Sequence, residues 1–392
     1  MKLNHKLLSC PSNLKFNKIN SYYNRLLPIF EKVLFTLNLT STEKVLVLTS
    51  RSAHVTINED NQKWQMNKII NELIKNKIDI YKPFTSCRFI STNMMYNILT
   101  KHTSIYDVFG TYNTNKVTIR VFDNEDIYCS FKNRLDLANK ITKIFSLLEL
   151  FNIKNNHVKI YFAPVDIPKI FPNSEVFSTD CINSGGTIHE GNKAHIILFR
   201  KEESDKVLVH ELIHYLKLDF AMSNVYWGNI NGINNRVVSE FNVTPSHQYI
   251  NLFEALTDTL AIVFNSMCNC IITKSDINDY FYTELIYSRT IAGNILKHSG
   301  FRNVSDLMDT NKTNKLKQST SVLAYYILKC SLLNNTDIVL SKYCPKFSKY
   351  WSLRDIDEFY QLTKKDLNTI NNLPFKLNSF NSLRMTYNDI LY

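Results

Sequence analysis

Two stretches of this chain, 205–220 and 246–267, place ionisable residues inside apolar helical patterns, and that combination narrows what the chain can become. In the first, Val207, Leu208, Leu212, Ile213 and Leu216 recur at helical spacing around His210, Glu211 and His214, with Ser204 placed to cap the start. In the second, Ile250, Phe253, Leu256, Leu260, Ile262 and Val263 surround Glu254 and Asp258, with Pro245 at the entrance. A buried polar group without a partner costs about 1–3 kcal/mol or more, so these side chains must meet one another or a shared ligand.

Their spacing says which ligand. His210-Glu211-Leu212-Ile213-His214 is an HExxH pattern. Residues i and i+4 share a helix face, so both imidazoles can reach one tetrahedral Zn²⁺, and Glu211 beside them can handle the proton of a hydrolytic water. A catalytic zinc takes three protein ligands and leaves a fourth position for water. Glu254 is the candidate third ligand. Asp258, one turn beyond it, can accept the second ring N–H of a ligating histidine.

His210 to His214, followed by Glu254-Ala255-Leu256-Thr257-Asp258, resembles the gluzincin metallopeptidases, whose pattern is HExxH with a later ExxxD. Thermolysin-like and aminopeptidase-like enzymes share it. The resemblance implies an α+β zincin-like fold over about residues 133–270, with His210, His214 and Glu254 as zinc ligands. It also implies Glu211 as general base, Asp258 behind the ligands, and protein or peptide substrates cleaved without a covalent enzyme intermediate. The 39 residues of segment 215–253 exceed the thermolysin-like spacing and look more like the lethal-factor-type zincins. With Trp227-Gly228, Asn231-Gly232 and Asn234-Asn235, that segment reads as a loop-rich wall of the cleft. His247, Tyr249, Tyr325 and Tyr326 are the candidates for stabilising an oxyanion. Residues 184–188 read as the edge strand that such enzymes pair with substrate. Their two glycines suit either a close backbone approach or a turn. His189 and His195 read as solvated or hydrogen-bonded residues outside the ligand set.

Pattern changes divide the chain into a small α/β accessory domain, 1–130, and a catalytic domain, 131–392, whose C-terminal part is mostly helical. The first contains an apolar run at 45–48, a helical stretch at 64–75 and a strand at 117–122. The second begins with a helix over 134–151 capped by Asn133, then a strand at 157–162 and a connection punctuated by Pro164, Pro168 and Pro172. Residues 184–188 and 194–199 read as a hairpin or as neighbouring strands.

Composition excludes more than it selects. Lys and Arg number 46 against 35 Asp and Glu, and the resulting +11 favours acidic partners without choosing among them. No phosphate-binding loop, dinucleotide fingerprint, serine-hydrolase elbow or zinc-finger spacing offers a rival chemistry. Among eight cysteines the close pair, Cys268 and Cys270, lacks CxxC spacing, so reduced thiols are expected. No signal-peptide pattern is read at the N-terminus, and the apolar stretch 259–272 falls short of the ~20 residues of a membrane span. The expectation is a soluble cytoplasmic protein, in the host cytoplasm or a virion if viral. Abundant Asn and Lys with only 8 Gly suit an AT-rich genome, such as that of a large DNA virus. Two other readings stand beside the peptidase: a non-catalytic zinc-binding module of the same fold, and a basic nucleic-acid-associated protein. Intact Glu211 argues against the first, and zinc stoichiometry separates the second.

Overall fold

Alternating apolar residues at 117–122 and 157–162 become neighbouring strands of one sheet. The computed structural model describes residues 7–44, 71, 80–102, 104–123, 131–190, 193–244, 250–346, 350–371 and 382–387. The run at 45–48 and, apart from position 71, the helix expected at 64–75 lie outside them. The chain forms two compact units whose segments alternate along the sequence, one comprising Ile29–Ile167 and Asn183–Tyr215, the other Met1–Pro28, Pro168–Ile182 and Leu216–Tyr392.

The first unit is built on six strands: β1 (Asn38–Lys44), β2 (Ser104–Tyr112), β3 (Asn115–Asp123), β4 (His157–Phe162), β5 (Gly185–Glu190) and β6 (Lys193–Leu198). Their order across the sheet is β1-β2-β3-β4-β6-β5. β1, β2 and β3 pair antiparallel, β3–β4 and β4–β6 are parallel, and β5 returns antiparallel on β6 as an edge strand. The β2–β3 turn is closed by Asn113 at φ 51°, a conformation that Asn tolerates better than most residues. A parallel neighbour cannot be reached by a tight turn. The crossover from β3 to β4 is accordingly helical, α1 (Phe131–Leu150), close to the expected 134–151.

α1 packs Ile141 and Phe145, both fully buried, against Gly110 of β2, where an added Cβ would lie 2.7 Å from Ile141 Cγ2. Beside it lies α2 (Ser204–Tyr215), the HExxH helix, buried on all sides from Ser204 to Ile213. A separate cluster of Tyr81, Phe84, Met94, Ile98, Phe122, Ile197 and Phe199 forms another part of this unit's core.

The second unit is mainly helical. Its central helix, α3 (Leu252–Thr273), is buried from Leu252 to Cys270 and ends at Lys274, whose left-handed backbone (φ 55°) closes the last turn. α4 (Ile277–His298) packs on it, with a π-helical turn at Leu323–Leu328 and a helix at Lys329–Asn334. α3 is longer than the stretch 259–272 suggests. It is long and apolar enough to cross a membrane, yet 89% of its apolar window is buried inside the protein. It is a core helix. Among the described residues no cysteine is joined in a disulfide. Helix and sheet are thus mixed, in line with the α+β expectation.

Candidate metal centre

The HExxH helix is fixed at both ends. Its first turn begins with Val207 N–H donating to the Glu203 carbonyl (2.9 Å), so Ser204 is the first helical residue rather than the cap. Asp205 in that turn pairs with Lys140 and Lys143 of α1, two lysines whose side chains are buried. Burial opposes ionisation of Asp205, but the two ammonium groups outweigh it and hold the carboxyl well below the usual carboxylate range. The helix stops at Tyr215 instead of continuing to 220, because Lys217 adopts a left-handed conformation at φ 54°. His214 therefore lies in the last turn.

Between these ends His210 and His214 face each other, with Nε2 atoms 3.1 Å apart and ring planes at 74°. Two nitrogens bound at ~2.0–2.1 Å to one tetrahedral Zn²⁺ lie about 3.3 Å apart, so the pair fits that ion with almost no adjustment. Glu211 is buried beside them. The Thr187 hydroxyl, on β5, is 2.8 Å from its Oε2 and 2.9 Å from its backbone oxygen.

β5 also settles how its two glycines are used. A Cβ on Gly185 would lie 2.6 Å from Val207 Cγ1 and 3.2 Å from Glu211 Cγ, and one on Gly186 would lie 2.8 Å from Phe89. Neither makes a turn. Their missing side chains admit the protein's own helix on one side of β5 and the loop at Cys87 and Phe89 on the other. Burial and the nearby Glu211 carboxylate both push the Cys87 thiol up, to about 12, so it stays protonated and inert.

Glu254 lies in the first turn of α3 and is buried. Glu254 belongs to the second unit, whereas His210 and His214 belong to the first. Asp258, fully buried one turn later, accepts from Lys329 Nζ at 2.8 Å, a partner no local pattern suggests.

The other sequence candidates separate. His247 and Tyr249 lie outside the described residues. Tyr326 is buried and its hydroxyl donates to the Leu383 carbonyl (2.6 Å), a structural bond. Tyr325, half-buried in the same π-helical turn, keeps its candidacy. His189 is exposed at the end of β5. His195 is neither solvated nor hydrogen-bonded at Nε2; it is buried edge-on to Tyr161, 5.4 Å between centroids, and burial lowers its pKa. Among the described residues of 215–253, the segment is mainly helical rather than loop-rich. It holds two helices, Phe220–Gly228 and Ile230–Glu240, joined at Asn229 and tied together by Tyr226 donating to Asn234 Oδ1 (2.7 Å). The Gly and Asn residues that suggested loops sit mostly on exposed helix faces, where the roughly 1 kcal/mol helix penalty of Gly is tolerated.

No family model matches the chain, and no solved structure matches it. It is 26% identical over 229 residues to an uncharacterized protein of Acanthamoeba polyphaga mimivirus. The match spans 53% of this chain and 56% of that protein, so the chain spans about half the length of its curated relative.

Proposed function

We propose that this chain is a zinc-dependent peptidase with a zincin-like fold, in which His210, His214 and Glu254 hold Zn²⁺ and Glu211 is the general base. The observation that carries the proposal is the 3.1 Å separation of the two Nε2 atoms on one helix face, His210 buried and His214 half-buried, close to the spacing of two ligands on one tetrahedral ion. The acidic residue between them supports catalysis over a purely structural site, which has no use for a base.

Bound by these residues, Zn²⁺ would supply Lewis-acid polarisation of a peptide carbonyl and lower the pKa of a water toward neutrality. Glu211 takes the proton of the attacking water and passes it to the leaving amine. β5, as an edge strand, offers main-chain groups to an extended peptide. The relevant substrates are therefore proteins or peptides that can present a strand.

The purified protein should carry about one equivalent of zinc, and His210→Ala and His214→Ala should each abolish it. Glu211→Gln should keep fold and zinc while peptide hydrolysis falls ~10²–10⁴-fold. Zinc retained in both histidine variants would remove them as ligands; undiminished turnover in the glutamine variant would remove Glu211 as the base.

A further inference from the structure

Glu211 is held from the neighbouring strand rather than by its own helix. The Thr187 hydroxyl lies 2.8 Å from Glu211 Oε2 and 2.9 Å from the Glu211 carbonyl oxygen. Its one proton is shared between these two oxygens of the same residue, a three-centre bond that ties the carboxylate to its own backbone. Two positions earlier on the same face of β5, Gly185 leaves the space through which the Glu211 stem passes. Gly185 supplies the room and Thr187 the donor, at the period-two spacing of a strand.

The register adds a second role for the same residue. Phe199 N–H donates to Ser184 O at 2.9 Å, so Ser184, Gly186 and Ile188 are the positions that exchange hydrogen bonds with β6. Gly185 and Thr187 then direct their backbone N–H and C=O away from β6, off the sheet edge. Thr187 thus faces the base with its side chain and the edge with its main chain.

We propose that Thr187 is the positioning residue of the general base: its hydroxyl fixes the Glu211 carboxylate, and a peptide paired along β5 takes its register from the same residue. For its chemistry this rests on the peptidase reading; for its geometry it does not. Without the hydroxyl the carboxylate regains rotamer freedom, which slows proton transfer in the bound complex more than it weakens binding.

The test compares Thr187→Val, which keeps the branched shape, with Thr187→Ser, which keeps the hydroxyl. On one peptide substrate the valine variant should lose about 10–100-fold in kcat with KM and zinc content held, and the serine variant should recover most of it. Unchanged kcat in the valine variant, or an equal loss in the serine variant, overturns the proposal. A second measurement uses zinc-free protein without substrate: a thermal-unfolding cycle of Thr187→Val, Glu211→Ala and the double variant. Thr187→Val should lower Tm by about 2–4 °C in the unmodified background and clearly less beside Glu211→Ala. An equal drop in both backgrounds overturns the link between the two side chains. Absence of Glu211-dependent hydrolysis in the unmodified protein counts against the peptidase reading alone, because the cycle still decides whether Thr187 holds Glu211.

Discussion

Asp258 takes on a different character once its partner is known. By position, one turn from Glu254, it orients a metal ligand, and a mild effect of substitution would follow. The structure pairs it with Lys329 at 2.8 Å, with the two side chains 0% and 1% exposed. Removing one charge from such a pair leaves the other buried and uncompensated, which destabilises by about 3–5 kcal/mol. Asp258→Asn should therefore lower the denaturant midpoint well before it affects zinc affinity, and Lys329→Met added to it should restore part of the loss. A variant with unchanged midpoint would return Asp258 to a role at the ligands alone. The contrast shows which residues a sequence can reveal. His210, Glu211 and His214 stand out because one helix face brings them together within five positions, and the Glu254–Asp258 pair for the same reason. Thr187 reaches Glu211 from 24 positions away and Lys329 reaches Asp258 from 71, and no periodicity links them.

At the scale of elements, α2 is anchored at its first turn by a charge cluster set almost wholly within the first unit's core. Lys140 and Lys143 hold the Asp205 carboxyl below its ordinary range despite burial. A lowered carboxyl pKa contributes stability that is fully present above the unfolded value of ~3.9 and is lost as pH falls through the folded value. Asp205→Asn should thus destabilise at pH 7, by about 3–5 kcal/mol for a broken buried pair, and the gap to the unmodified protein should narrow as pH falls below ~4. Stability curves against pH for the two proteins check this; parallel curves would show that Asp205 packs without being ionised. The strand at 157–162, the helix near 134–151 and the paired strands around 185–198 were legible from alternation and apolar spacing. The helices of 220–240 were not, because Gly228, Gly232 and five Asn residues in that stretch carry turn propensity that tertiary packing of Met222, Tyr226 and Val237 overrides. The start of α2 was displaced by one residue for a similar reason, since Glu203 at φ 60° takes the place expected of Ser204.

The whole molecule carries a formal charge of +11, while the acidic side chains of the proposed centre, Glu211 and Glu254, are negative and Asp258 is already neutralised by Lys329. The positive excess must then belong to surfaces away from the ligands, where it acts on an approaching substrate before any contact with the site. Long-range attraction of this kind raises association rates for acidic partners and is screened by salt, the Debye length being ~8 Å at 0.15 M. For a peptidase with this charge, kcat/KM on an acidic protein substrate should fall steeply as ionic strength rises through 0.15 M. A short neutral peptide cut at the same centre should respond little, because only local contacts govern its binding. Both substrates need to be followed over the same salt series, with zinc content checked at each point so that metal loss is not mistaken for screening. Equal responses would mean that the basic surplus reflects composition alone, and that selection among substrates is made by the strand edge at β5 and by the walls around it.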